Sequence, residues 1–150
     1  MAASNVHATC LVLDDRGLLI TGPSGSGKTI LGLELLHRAR LAGRHAALLG
    51  DDQLLLENCG GALIGHAPPV IAGLAELRGP GPVAVDWLKS ARIDAALVLV
   101  PQAEAPRLEE AGVLMLAGIG IPRLRLPARS SPASALAAES WLFSRPLPQR

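Results

Sequence analysis

Eight residues, Gly22-Pro23-Ser24-Gly25-Ser26-Gly27-Lys28-Thr29, constrain this chain more than any others. They match G-x-x-x-x-G-K-S/T, the phosphate-binding P-loop or Walker A motif. Glycines there let successive backbone N–H groups turn inward onto phosphate oxygens with no Cβ in the way. Lys28 supplies a cation for β- and γ-phosphates, and the Thr29 hydroxyl is placed to hold Mg²⁺. The flanks support the motif. Leu18-Leu19-Ile20-Thr21 reads as an apolar strand entering the loop, and Ile30, Leu31, Leu33, Glu34, Leu35 and Leu36 read as a helix whose N-terminus faces the phosphates. Strand, loop and helix in that order predict nucleoside-triphosphate binding. The alternative is a Gly/Ser-rich turn that happens to precede Lys-Thr.

A core around this motif needs apolar material. Of 150 residues, 49% are apolar but only 2% aromatic, so Leu, Val, Ile and Ala must build it. The length fits one domain over 1–150. A formal net charge of +1 gives no electrostatic case for nucleic acid or a membrane surface. Cys10 and Cys59 are too few for a disulfide framework and lack metal-ligand spacing, so buried thiols in a reducing cytosol are expected. No basic-then-apolar leader opens the chain, and Ala95 to Val100 is too short to span a bilayer. A soluble cytoplasmic domain is the expectation.

In chain order, Val6 to Leu13 predicts a strand carrying His7, and Asp14-Asp15-Arg16-Gly17 supplies turn chemistry before the strand into the P-loop. The helix is expected from about Gly27 to about Leu41, ending near Gly43. Ala46-Ala47-Leu48-Leu49 reads as a strand ending at Gly50-Asp51-Asp52. Leu54 to Glu57 and Ala62 to Gly65 flank Asn58-Cys59-Gly60-Gly61 as a second hairpin. Pro68-Pro69 breaks the chain. In Glu76-Leu77-Arg78-Gly79-Pro80-Gly81-Pro82-Val83, prolines 80 and 82 rule out a central strand and predict a loop of fixed shape. Ala95 to Val100 reads as a buried strand, Val113 to Leu116 and Pro122 to Leu126 as shorter ones. Ser134 to Phe143 reads as a closing helix and Arg145 to Arg150 as a frayed tail. No repeat or linker is evident.

Asp51-Asp52 falls where a strand after the P-loop helix would end, the usual place for ligands in open α/β sheets. A carboxylate there can hold Mg²⁺, directly or through water, or accept a proton from an attacking hydroxyl. Gly-Asp-Asp is also good turn sequence, so a solvated turn is the alternative. His7 by itself is more often an ordinary core or surface strand histidine than a functional one.

Taken together, Val6-His7-Ala8-Thr9, the P-loop, Gly50-Asp51-Asp52 and Glu76-Leu77-Arg78-Gly79-Pro80-Gly81-Pro82 resemble the catalytic C-terminal domain of HPr kinase/phosphorylase, from about residue 5 to about residue 85. The P-loop alone is unspecific, but the four elements in this order are specific. The resemblance implies an α/β fold of the phosphoenolpyruvate carboxykinase-like type, a mixed sheet around a P-loop with flanking helices. It implies ATP-dependent phosphorylation of a serine on HPr, a phosphocarrier of the sugar phosphotransferase system, with phosphorolysis as a second activity. By the same resemblance Lys28 and Thr29 hold phosphate and Mg²⁺, and Asp51 accepts the serine proton with His7 beside it. Asp52 and Glu76 support the metal, and Arg78, with Gly79 and Gly81, shapes the signature loop.

The chain also departs from that family. Thr29-Ile30 stands where Ser-Glu is usual, keeping the hydroxyl but losing a carboxylate. Ala42-Gly43-Arg44 lengthens the connection to Asp51. No separate N-terminal domain is expected. Pro127-Ala128-Arg129-Ser130-Ser131-Pro132-Ala133 replaces a Pro-Gly-Arg-Asn loop and a longer helical tail that docks HPr. Arg123, Arg125 and Arg129 read either as a phosphate-facing patch or as a solvated edge strand. The compact form resembles short proteobacterial versions in regulatory phosphotransfer circuits. An ATP-sensing module bound to a phosphotransferase or sensor-kinase partner is the alternative to a kinase, and a small-metabolite kinase is a weaker third. Homo-oligomerisation is left open.

Overall fold

The computed structural model describes residues 3–144. In chain order it places strands β1 (Ser4–Val6), β2 (Thr9–Leu13) and β3 (Arg16–Thr21), then helix α1 (Lys28–Leu41). Strands β4 (Ala46–Gly50), β5 (Leu54–Cys59), β6 (Ala62–His66), β7 (Leu74–Leu77), β8 (Gly81–Ala84), β9 (Ser90–Arg92) and β10 (Ala95–Val100) follow. The chain continues through β11 (Gly112–Leu116) and β12 (Ile119–Pro127) to helix α2 (Ser131–Ser144).

These elements stack in three layers. A six-stranded sheet in the order β11-β12-β10-β3-β2-β4 lies between the two helices and a four-stranded sheet, β1-β5-β6-β9. Because strand side chains alternate in direction, a strand covered on both faces must be apolar throughout. The strands β2 and β3 obey this. Leu11, Leu13, Leu18 and Ile20 pack with Leu31 and Leu35 of α1, while Cys10 and Leu19 pack with Leu54, Leu56 and Leu63 of the smaller sheet. Truncating a fully buried leucine such as Leu35 would cost roughly 2–5 kcal/mol. Within the large sheet β3, β10 and β12 run parallel and their neighbours antiparallel, so the three parallel strands deliver their C-terminal ends to one edge. The site is built at that edge.

Close approach sets the glycine positions here. A Cβ on Gly17 would lie 1.9 Å from the Arg92 carbonyl oxygen, where the two sheets meet. Helix α1 ends as expected, with Gly43 at φ 75° and the Arg44 N–H donating to the Ala39 carbonyl at 2.8 Å.

The expected α/β class, with a mixed sheet and flanking helices, is the one observed. Several local expectations need correction. Residues 6–13 are not one strand: β1 pairs with β5 in the small sheet, β2 pairs with β3 and β4 in the large one, and His7 sits in the break between them. Glu76 to Val83 is not a loop but part of a hairpin, with Pro82 opposite Glu76 in the β7–β8 pair. A two-stranded ribbon leaves an outer side where proline needs no N–H partner. Cys10 is buried as expected, but Cys59 is exposed, because β5 ends there in a Gly-Gly turn. Helix α2 starts three residues earlier than expected, at Ser131 rather than Ser134. Strand β12 is no edge strand, since β10 and β11 flank it. The tail at 145–150 lies outside the described residues. Among the described residues no helix is long and apolar enough to cross a membrane.

Candidate functional site

Strand β3 ends at Thr21, and α1 begins at Lys28, so residues 22–27 form the loop the motif predicts. Gly25 and Gly27 sit at φ 78° and 94°, left-handed values that disfavour a side chain. A Cβ on Gly22 would meet Ser26 Oγ at 2.7 Å. The Ser26 N–H donates to the Pro23 carbonyl at 3.1 Å, and the Leu31 N–H to Gly27 at 3.0 Å opens the helical ladder. Lys28 is buried, its Nζ donating to the carbonyls of Gly22 and Pro23 at 3.0 and 3.2 Å. A phosphate in the loop offers the same ammonium charged acceptors, which make stronger hydrogen bonds than carbonyls.

Asp51 is the second centre. It leaves the end of β4 and is only 8% exposed, which excludes the solvated turn. Its Oδ1 accepts from Thr29 Oγ1 at 2.7 Å and from Thr9 Oγ1 at 3.0 Å. Its Oδ2 accepts from the Glu76 N–H at 3.2 Å. Burying a carboxylate is costly unless its lone pairs find donors, and here β2, α1 and β7 each supply one. Hydroxyl oxygens are among the hard donors Mg²⁺ takes, so the Thr29 hydroxyl fits a cation beside loop-bound phosphate.

The remaining expected residues spread around this centre. Asp52, at φ 65°, turns outward and faces His7, with Nδ1 and Oδ1 4.0 Å apart and both side chains mostly exposed. A pair this exposed contributes little to stability. Glu76 brings its backbone N–H to Asp51 while its side chain is exposed. Arg78, Gly79 and Gly81 lie at the β7–β8 turn, the glycines at φ 105° and 82°. Among the described residues no three of His, Cys, Asp and Glu gather into a metal-ready group.

The arginines do not form one patch. Arg125 is held by Glu109, its Nε and Nη2 donating to the carboxylate at 3.0–3.2 Å and its N–H at 2.8 Å. This guanidinium pulls the Glu109 carboxyl below its ordinary range. Arg129 alone reaches the P-loop. Its Nε donates to the Gly25 carbonyl at 2.8 Å and its N–H to the Ser26 carbonyl at 3.0 Å, from a left-handed backbone at φ 56°. Sequence reasoning left Thr9 without a role here. Thr9 lies inside the Val-His-Ala-Thr stretch, and a threonine two positions from a candidate histidine was the available signal.

The chain matches the family model described as HPr Serine kinase C-terminal domain over residues 1–93. It is 34% identical over 85 residues to the HPr kinase/phosphorylase of Clostridium beijerinckii, covering 57% of this chain and 26% of that protein. It is 30% identical to that of Caldicellulosiruptor bescii, over 89% of this chain and 45% of the relative. The chain thus spans between a quarter and a half of the length of these relatives. Among solved structures, the HPr(Ser) kinase/phosphatase from Coxiella burnetii superposes with a TM-score of 0.79 at 26% identity, covering 94% of this chain and 89% of that one. That likeness carries the P-loop fold of the phosphoenolpyruvate carboxykinase-like type, and it continues past residue 93 to β12 and α2. With the family match covering well over half its length, the chain belongs to the HPr serine kinase C-terminal domain family.

Proposed function

We propose that this chain is an ATP- and Mg²⁺-dependent protein-serine kinase acting on an HPr-like phosphocarrier. The observation that carries the reading is Asp51, buried and oriented by three donors directly beside the P-loop threonine. Lys28 and the loop N–H groups bind the β- and γ-phosphates. Magnesium, when bound at Thr29, supplies charge neutralisation on those phosphates. Asp51 takes the proton of the acceptor serine as its oxygen bonds to the γ-phosphorus and the bond to ADP breaks. His7 and Asp52 pair with both side chains mostly exposed, open to an approaching acceptor protein, and the Glu76 and Arg78 side chains are exposed as well. Phosphorolysis would run through the same groups, with inorganic phosphate taking the phosphoryl group and releasing serine and pyrophosphate.

The test is transfer itself. Incubation with γ-labelled ATP, Mg²⁺ and purified HPr-type carriers should place label on a serine. Tight ATP binding with no label on any carrier would overturn the kinase reading and favour an ATP-sensing module.

A further inference from the structure

We infer that β11 is a self-pairing edge, joining the large sheets of two copies of this chain about a two-fold axis at Leu114. The large sheet has two edges, and the chain treats them differently. At β4 the segment 86–88 covers the edge beside Leu48. The Leu48 N–H donates to the Asp86 carbonyl at 2.8 Å, and the Leu88 N–H to the Leu48 carbonyl at 2.9 Å. On the outer side of β11 no strand pairs among the described residues. An open edge is ordinarily blunted by charge, proline or a bulge. Residues 112–116 have none of these: Gly-Val-Leu-Met-Leu is uncharged, and its register with β12 runs unbroken.

The hairpin turn fixes which backbone groups this edge offers. Ala117 and Gly118, at φ 49° and 78°, form a two-residue turn, so Leu116 and Ile119 are a hydrogen-bonded pair. Such pairs alternate along an antiparallel ladder. Gly112, Leu114 and Leu116 therefore direct their N–H and C=O groups at β12, while Val113 and Met115 direct theirs outward. Pro122, with no N–H to give, stands opposite Val113 and fits this parity. Two copies paired antiparallel about Leu114 set Val113 against Met115 twice, which satisfies all four outward groups of each strand. The side chains suit the same register. Val113 and Met115 are 61% and 63% exposed, and both lean over Gly120, where a Cβ would lie 2.7 Å from one and 3.2 Å from the other. In the pair they become one apolar cluster of four. Glu110 of one copy comes level with Gly118 of the other, so like charges do not meet. This self-complementarity makes a second copy the occupant. Five residues a side is well below the roughly 20–30 of a standard interface, so the dimer is weak.

Sedimentation equilibrium and amide hydrogen exchange test the pairing. The parent should pass from monomer towards dimer as its concentration rises to about 1 mM, the scale of a small interface. Over the same range the Val113 and Met115 amides should come to exchange more slowly. Val113→Lys and Met115→Glu, both at exposed positions, should each weaken the dimer roughly tenfold or more with the melting temperature kept. Mixed in equal amounts, the two variants should dimerise again, because the new lysine then lies opposite the new glutamate. A parent that stays monomeric, with those amides unprotected, would overturn the pairing. That readout needs no variant, so it decides even where a substitution unsettles the strand. A dimer indifferent to both variants, a mixture that stays monomeric, or growth beyond the dimer into polymers would overturn it too, since two-fold pairing consumes the edge.

Discussion

Thr29 Oγ1 and Asp51 Oδ1 lie 2.7 Å apart, joining the first turn of the P-loop helix to the end of a strand two positions away in the sheet. A carboxylate held there has one face committed to Thr9 and Thr29 and the other to the Glu76 N–H. Its direction is therefore set by the fold before any acceptor arrives, which is what a proton acceptor in phosphotransfer needs.

Thr9→Val tests this orientation. Valine keeps the shape but removes the buried donor at 3.0 Å, leaving Asp51 with two partners. Stability should fall by about 1 kcal/mol. Transfer should fall roughly tenfold while ATP affinity, measured by calorimetry, stays within a factor of two. Unchanged transfer would mean that Thr29 and the Glu76 N–H orient Asp51 without it.

Arg129 predicts a different effect. Its guanidinium holds the Gly25 carbonyl, so Arg129→Ala should loosen the loop while the backbone bond to Ser26 persists. Amide exchange over residues 24–28 should quicken in the ligand-free protein, and ATP affinity should drop roughly tenfold, the scale of one charge-assisted hydrogen bond. Unchanged exchange with the same affinity loss would make Arg129 a phosphate ligand and not a clamp on the loop.

The Glu109–Arg125 pair carries a pH signature. Arg125 lowers the Glu109 carboxyl below its ordinary value of 4.5. A carboxyl depressed by folding contributes stability that is present above that value and is lost as pH falls through the lowered one. The parent's melting temperature should therefore decline on acidification below about 4.5, and Glu109→Gln should flatten part of that decline while being less stable at neutral pH. Parallel melting curves for the two proteins from pH 7 to pH 3 would contradict the assignment.

What the sequence disclosed follows from how local each determinant is. The P-loop and α1 were legible because their glycines, lysine and apolar spacing lie within about twenty consecutive residues. Asp51 was legible by position, but its burial was not, since its partners come from Thr9 and Glu76, 42 and 25 residues away. His7 was misplaced because residues 4–6 pair with β5, a choice made by a strand nearly fifty residues later. Pro82 correctly barred a central strand, yet a two-stranded ribbon tolerates it. The charge of Arg129 was visible, but its contact with Gly25 spans 104 residues and follows from how β12 returns beside β10.

In the proposed reaction the P-loop binds ATP while Asp51 performs the proton transfer. Its most direct test is Asp51→Asn with Lys28→Ala as the binding control, ATP affinity and phosphotransfer to an HPr-type serine being measured on each. Asparagine keeps the size of the side chain but cannot take a proton. Asp51→Asn should keep near-parental ATP affinity, with transfer reduced roughly 10²–10⁴-fold, the usual contribution of a positioned base. Lys28→Ala should instead lose most ATP affinity with the fold intact, because the phosphates lose the loop's cation. Collapse of ATP binding in Asp51→Asn together with transfer would instead make Asp51 a metal or structural residue and rule it out as the base.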